Sequence, residues 1–214
     1  MLTEARRTRA HEHEYANYLH TLVGLLELGM YDRARQFASE VTSARTGRAK
    51  RLTERVRAPL VRALLLGKSA VAAERGVALH ITEETYLAHD AVVPRDLVTV
   101  LGNLIDNALD AVAEPRVVDP FVEVELRAEG GAAVLRVADN GPGVPATQRE
   151  LVFAEGWSTK DAARPRGRGL GLALVRQVAE QYGGAVRLCE RAGGGAVFTV
   201  RLPRAFVRPR EGNR

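Results

Sequence analysis

At 214 residues and 46% hydrophobic, the chain can bury a core and has room for one or two domains. Its longest aliphatic cluster, Leu60 to Leu66, is broken by Arg62 and falls far short of the roughly 20 apolar residues of a membrane helix; residues 1–14 lack the apolar segment of a signal peptide, so the chain as given is expected to be cytoplasmic. A net charge of +5 would suit nucleic acid, but the arginines are dispersed, only 5% of residues are aromatic and no nucleic-acid-binding signature is present, so no such partner is expected.

Residues 2 to 28 read as one long helix with Ala16, Leu19, Val23 and Leu26 as its apolar stripe, and Gly29 is a suitable left-handed stop. A second helix is expected from about Asp32 to Arg45, where Ala34, Phe37, Ala38 and Val41 repeat the spacing. So short a connection implies an antiparallel hairpin. A lone hairpin cannot bury its stripe on both sides, so a second copy is expected to complete a four-helix bundle, making the protein a homodimer. His13, Asn17 and His20 share a face away from the stripe, with Glu14 beside them. An exposed histidine beside a carboxylate suits nucleophilic chemistry, in which the acid takes a proton from one ring nitrogen while the other attacks phosphorus; solvation of a polar face is the bland alternative. His11 is the second candidate nucleophile. Residues 46 to 57 are charged and nearly without apolar content. The domain boundary is placed there, giving a hairpin domain over 1–50, a second domain over 51–203 and a disordered basic tail over 204–214.

Leu60 to Ala73, opened by Pro59 and ended by Gly76, reads as a helix with the loose spacing Leu60, Leu64, Ala70 and Val71. Val77 to Thr82 follows as a short strand, and 83–93 as a linker. Asp96 to Val112 is the most informative stretch. Leu97, Leu101, Leu104, Ile105, Ala108 and Val112 form one apolar stripe, started by Pro94 and Asp96, while Asn103, Asp106, Asn107 and Asp110 recur on another face. Four short polar side chains on one line could hold a hydrated cation, or merely solvate an exposed face.

Phe121 to Ala128 and Ala133 to Ala138 alternate as two strands around a Glu129-Gly130-Gly131 turn. They deliver Asp139-Asn140-Gly141-Pro142-Gly143, where a carboxylate at a strand end could accept the exocyclic amine hydrogen of adenine and glycines admit a ligand to the backbone. A plain turn is the alternative. Residues 153 to 160, FAEGWSTK, lead into a polar loop, and Gly167 to Leu172 then open a helix running to Tyr182. Glycines at a helix start expose amide hydrogens at its positive end, which suits phosphate. Lys160, Arg166 and Arg168 are available to neutralise charge. Ala185 to Glu190 and Ala196 to Leu202 complete the strands around Gly193-Gly194-Gly195, with Cys189, the sole cysteine, expected as a buried strand residue. The sum is an α+β chain in which a helical hairpin precedes a two-layer α/β sandwich of about five strands.

Taken in order, Asn103 to Asn107, Asp139 to Gly143, Phe153 to Lys160 and Gly167 to Leu172 resemble the N, G1, F and G2 boxes of the GHKL (Bergerat) ATP-binding fold shared by histidine kinases, gyrase, Hsp90 and MutL. The stretch His13-Glu14-Tyr15-Ala16-Asn17-Tyr18-Leu19-His20 further resembles the phospho-acceptor pattern HExxNxLH of sensor kinases for citrate and C4-dicarboxylates. The resemblance implies an ATP-dependent protein-histidine kinase of a two-component system that phosphorylates His13, with Glu14 as base and Asn17 positioning water for dephosphorylation. It implies Mg²⁺ on Asn107 helped by Asn103, adenine on Asp139, and nucleotide contacts from Gly141, Gly143, Gly169 and Gly171. Asp110, Ser158, Thr159, Lys160, Arg168, Leu170 and Leu172 join these as candidate nucleotide-contacting residues. An asparagine at 103, where ATPase members usually carry a water-activating glutamate, favours a kinase over a GHKL conformational clamp; a scaffold that has lost nucleotide is the third reading. The partners implied are a second copy and a response-regulator receiver domain, with any membrane attachment through a sensor portion of an inner-membrane parent protein. The loop between Lys160 and Gly169 is longer than usual for these kinases and carries Pro165.

Overall fold

A computed structural model of the chain describes residues 22–35, 55–87, 94–114, 116–157, 169–203 and 205. The chain divides into two units, residues 1–48 and 49–214. In the first, residues 22–27 and 31–35 are helical. Gly29 between them has φ of 69°. Its N–H donates to the carbonyl of Leu26 at 3.1 Å and the N–H of Met30 to that of Leu25 at 2.9 Å, the paired bonds of a Schellman stop. The expected glycine stop is therefore borne out. His11, His13, Glu14, Asn17 and His20 lie outside the described residues, as do Ser158, Thr159, Lys160, Arg166, Arg168 and all but Ala205 of the tail.

Among its described residues, the second unit is a five-stranded sheet covered by three helices of more than two turns. In chain order it runs α1 (Pro59–Glu74), β1 (Ala78–Ile81), α2 (Pro94–Val112), β2 (Phe121–Glu129), β3 (Ala132–Asp139), two short 3₁₀ turns (Ala146–Gln148 and Leu151–Phe153), α3 (Gly171–Gln181), β4 (Ala185–Glu190) and β5 (Ala196–Leu202). The strands lie in the order β1-β2-β3-β5-β4. β1 and β2 are parallel, as a helical crossover through α2 requires, and the other pairs are antiparallel. Gly130 and Gly131 both take positive φ, which lets a two-residue loop join β2 to β3.

The strand period of two sorts the sheet into faces. Val122, Val124, Leu126, Leu135, Val137, Phe198, Val200 and Leu202 enter one core with the helices. The opposite face carries ions, with Arg127 and Arg136 around Glu125, and Arg201 reaching Glu129. The expected two-layer arrangement is borne out.

α2 contributes most to that core. Every residue of its expected stripe is buried, and Val100 and Leu109 are buried beside them. The stripe is wider than its sequence spacing indicated because α2 packs against α1 as well as the sheet. In α1 the phase shifts by one residue. Val61, Leu65 and Ala72 face the core, while Leu60 is exposed, because an almost unbroken aliphatic run leaves the period ambiguous.

Three further expectations are corrected. Cys189 is exposed, because Val186 and Leu188 take the core side of β4, the edge strand, and the residue after Leu188 points to the opposite face. Residues 85–87 are not a plain linker. Thr85 is buried, its Oγ1 accepting from the N–H of Leu126 and donating to the carbonyl of Val124, both at 3.3 Å, and Leu87 bridges to Val56. The charged stretch 46–57 likewise hides one core residue, since Val56 is fully buried.

At the far end of α2 the Tyr182 hydroxyl donates to Asp96 Oδ2 at 2.9 Å, tying the C-terminus of α3 to the first turn of α2. Burial, then this bond and the Asp96 charge, push the Tyr182 hydroxyl up to about 12 from its ordinary 10.0. A raised acid favours the folded state below the unfolded value and loses that advantage as pH rises through the folded one. The melting-temperature difference between the parent and Tyr182→Phe should therefore stay constant below pH 10 and shrink towards pH 12. A difference independent of pH across that window would show that the hydroxyl does not donate to Asp96.

Candidate functional site

One helix brackets the site. Asn103 donates from Nδ2 to the carbonyl of Thr99 at 2.7 Å, which leaves its Oδ1 directed away from its own helix. That oxygen meets the start of α3, where a Cβ added to Gly171 would lie 2.8 Å from it. Two turns further along α2, the carbonyl of Ala111 lies 3.0 Å from the Cβ position of Gly141 in the loop after β3. Asn107 sits midway, about 6 Å of helix rise from each contact. Its side chain is half-buried and has no partner among the described residues.

The expected row of four polar side chains does not act as one. Asp106 is held by Lys68 Nζ at 2.5 Å, and Asp110 by Arg75 Nη1 at 2.9 Å. Both carboxylates thus pair with α1 or its C-cap, and Asn103 and Asn107 are the side-chain amides of this stretch of α2. Among the described residues no cluster of three or more His, Cys, Asp or Glu side chains could hold a metal ion. A small hard cation would instead have to use amide oxygens together with water and the oxygens of its ligand; Mg²⁺ takes oxygen donors, keeps several waters and commonly shares phosphate oxygens. The free carboxamide of Asn107 and the outward Oδ1 of Asn103 fit that donor set.

Asp139 closes the other side. Only 1% of it is exposed, at the end of a strand buried along most of its length. Its Oδ1 accepts from the backbone N–H of Gly141 at 2.9 Å and of Ala196 at 3.3 Å. Oδ2 has no donor among the described residues. Burial raises its pKa, against the two backbone bonds and the nearby Arg191 charge. Asn140 has a structural role instead: its Oδ1 accepts from the N–H of Phe121 at 2.8 Å and its Nδ2 donates to the carbonyls of Val118 and Asp119, each at 3.1 Å.

Gly143 takes φ of 74°, and a Cβ on it would come 3.1 Å from the carbonyl of Gly195. The β4–β5 turn therefore supports the loop after β3, and a cleft of about 320 Å³ lies between them, edged by Arg149 and Glu190. Arg149 donates to the carbonyl of Val144 at 3.3 Å and pairs with Glu190 at 3.5 Å.

Among the described residues no side chain caps the start of α3, and its first amides, as in any helix, have no intrahelical acceptor. Its positive end opens beside Asn103, with Leu170 half-exposed and Leu172 packed against the core. Gly169 takes φ of 63°, and a Cβ there would collide with the carbonyl of Trp157. The ends of the glycine-rich segment and of the FAEGW stretch therefore meet.

Of the candidate residues in the described part, Gly171 meets Asn103, Gly141 meets Asp139 and the last turn of α2, Gly143 meets Gly195 and Gly169 meets Trp157, with Asn107 on α2 between the first two contacts; Asp110 pairs with Arg75. Arg149, Arg191 and Gly195 were missed. The third glycine of Gly193-Gly194-Gly195, more than a tight turn requires, was the sequence signal for the last.

A buried acceptor, two amides and an uncapped helix start together are what a purine nucleoside triphosphate would need, and the model for histidine kinase-, DNA gyrase B-, and HSP90-like ATPases matches residues 92–205. The chain belongs to that family. Among curated proteins, this ATPase-family chain is 39% identical over 211 residues to the sensor protein CitS of Bacillus subtilis, covering 95% of the chain and 38% of that protein. It is 31% identical over 208 residues to the sensor histidine kinase DcuS of Escherichia coli K12, covering 95% of the chain and 37% of that protein. The resemblance to sensor kinases for citrate and C4-dicarboxylates is thereby borne out, although the chain spans well under half the length of these relatives. Among solved structures, full-length ShkA in complex with AMPPNP is 28% identical with a TM-score of 0.52, over 70% of this chain and 30% of that one. No helix among the described residues is long and apolar enough to cross a membrane.

The raised pKa of Asp139 has a consequence for stability. The folded chain holds this proton more tightly than the unfolded chain, so stability present below 3.8 is lost as pH rises through the folded value. Asp139→Asn, which keeps an acceptor for both amides, should melt higher than the parent at pH 7 without nucleotide, with the gap closing below pH 4. A lower melting temperature at pH 7 would mean that the amide bonds to the carboxylate outweigh its burial.

Proposed function

We propose that the chain is the kinase core of a two-component sensor: an ATP-dependent protein-histidine kinase that phosphorylates itself on His13 and passes the phosphoryl group to an aspartate on a response-regulator receiver domain. The observation that carries the reading is the placement of Asn107 on α2 between the start of α3 and the loop after Asp139, each reached by a contact from the same helix.

In this reading Oδ2 of Asp139 accepts the exocyclic amine hydrogen of adenine, a donor that guanine does not present there. Gly141 and Gly143 let the backbone come against the purine. The free amides at the start of α3, around Gly169, Leu170, Gly171 and Leu172, receive phosphate oxygens, aided by Ser158, Thr159, Lys160 and Arg168. Asn107, with Asn103, holds Mg²⁺, which when bound neutralises triphosphate charge. The His13 ring nitrogen attacks the γ-phosphorus in line, its bond to the ADP oxygen breaks, and Glu14 takes the proton from the other ring nitrogen. Asn17 positions water when phosphate is removed from the partner. Residues 1–50 form the phospho-acceptor hairpin that pairs with a second copy, residues 51–203 bind the nucleotide, and residues 204–214 are a basic tail. The kinase core works in the cytoplasm, attached to the membrane only through a sensor portion of a longer parent protein.

Incubation with γ-labelled ATP and Mg²⁺ should give an acid-labile, base-stable phosphoprotein that His13→Ala abolishes and His11→Ala retains. The opposite pattern would move the acceptor to His11, and steady phosphate release without any phosphoprotein would favour an ATP-driven clamp. Before chemistry, ATP at 100 times its dissociation constant should stabilise the chain by about 2.7 kcal/mol. Asp139→Asn should abolish that stabilisation, because its amide would turn a donor towards another donor.

A further inference from the structure

Outside the boxes that the resemblance names, one set of contacts returns to Asp139. Asp139 is followed by Asn140, whose Oδ1 accepts from the N–H of Phe121 at 2.8 Å. The Arg191 guanidinium lies over the Phe121 ring, its Cζ 4.7 Å from the centroid. Arg191 then grips the β4–β5 turn three ways. Its Nη1 donates to the carbonyl of Gly194 at 3.2 Å, its own N–H donates to the carbonyl of Gly195 at 3.1 Å, and its carbonyl accepts from the N–H of Gly194 at 3.0 Å. Gly195, with φ of 105°, packs so closely on Asp139 that an added Cβ would collide with the Asp139 carbonyl. The next residue, Ala196, donates its N–H to Asp139 Oδ1.

The side chain of Asp139 is therefore oriented from two sides, by its own loop through Gly141 and by the β4–β5 turn through Ala196. We propose that Arg191 is a positioning residue for purine recognition, holding the turn 193–195 so that Asp139 presents Oδ2 at a fixed angle; this deepens the nucleotide-binding reading and rests on it. A guanidinium suits the task because its planar face stacks on the ring while its edge donates to the turn. Lysine keeps the charge but has no planar fork. The same cation also eases the burial of the Asp139 carboxylate.

The test compares the full chain with Arg191→Ala and Arg191→Lys, measuring ATP and GTP dissociation constants, KM for ATP, the saturating autophosphorylation rate, and melting temperature. Arg191→Ala should weaken ATP binding by roughly tenfold, by analogy with the low end of what removing an outer-shell partner costs a metal site. The loss should fall more on KM than on the saturating rate, and the preference for ATP over GTP should narrow. Arg191→Lys should lie between the two, and carries the test alone if the alanine variant does not fold. A lower melting temperature with unchanged ATP affinity and unchanged preference would overturn the inference, since a merely structural arginine would behave that way. If the parent chain does not bind ATP, the nucleotide reading fails and the inference with it; if the parent binds and both variants bind equally well, the inference fails alone.

Discussion

A carboxylate almost wholly buried at the end of a central strand is costly, and the rest of the second unit is arranged around that cost. Asp139 places one oxygen against two backbone amides from different segments, which holds it still without satisfying it. The other oxygen has no donor among the described residues. A buried charge left half satisfied is unfavourable for folding alone and favourable for a ligand that supplies the missing donor. Here the raised pKa and the proposed adenine contact are two consequences of one geometry.

That geometry needs a rigid opposite wall, and α2 provides it. Its apolar stripe is pressed between α1 and the sheet, so the helix cannot rotate without exposing the core. Its polar side is thereby fixed as well. Lys68 and Arg75 draw two of its carboxylates towards α1, and the remaining amides stand between the start of α3 and the loop after β3. The Tyr182–Asp96 bond holds the far ends of α2 and α3 together, so the uncapped end of α3 keeps its place beside Asn103. Core packing, ion pairs and a single hydroxyl thus set the spacing of a polar site that none of them touches.

Much of this was legible in the residues. The stripe of α2, the two β-hairpins, the glycine stop at Gly29 and the glycine-opened α3 all carry strong local signals, because period and left-handed glycines are short-range properties. What failed was long-range. Cys189 follows Leu188 in β4, so once Val186 and Leu188 take the core side it shares the outer face with Arg187. Asp110 shares a helix face with Asn103 and Asn107, and its ion pair with Arg75 at the end of α1 is a contact that no local pattern announces. Val56, Thr85 and Leu87 are isolated buried residues in polar stretches, invisible to any periodic pattern. Arg191 looked like one dispersed cation among many, since Phe121, the ring it covers, comes from another part of the chain.

The central claim is that α2, the loop after β3 and the start of α3 surround a single nucleotide. Titrating the isotopically labelled chain with ATP and Mg²⁺ while following backbone amide resonances tests it most directly. The expected result is that Asn107, Gly141 and Gly171 shift together along one binding curve, with the ionic outer face of the sheet unmoved. Shifts confined to one of the three, or three curves with different midpoints, would contradict it.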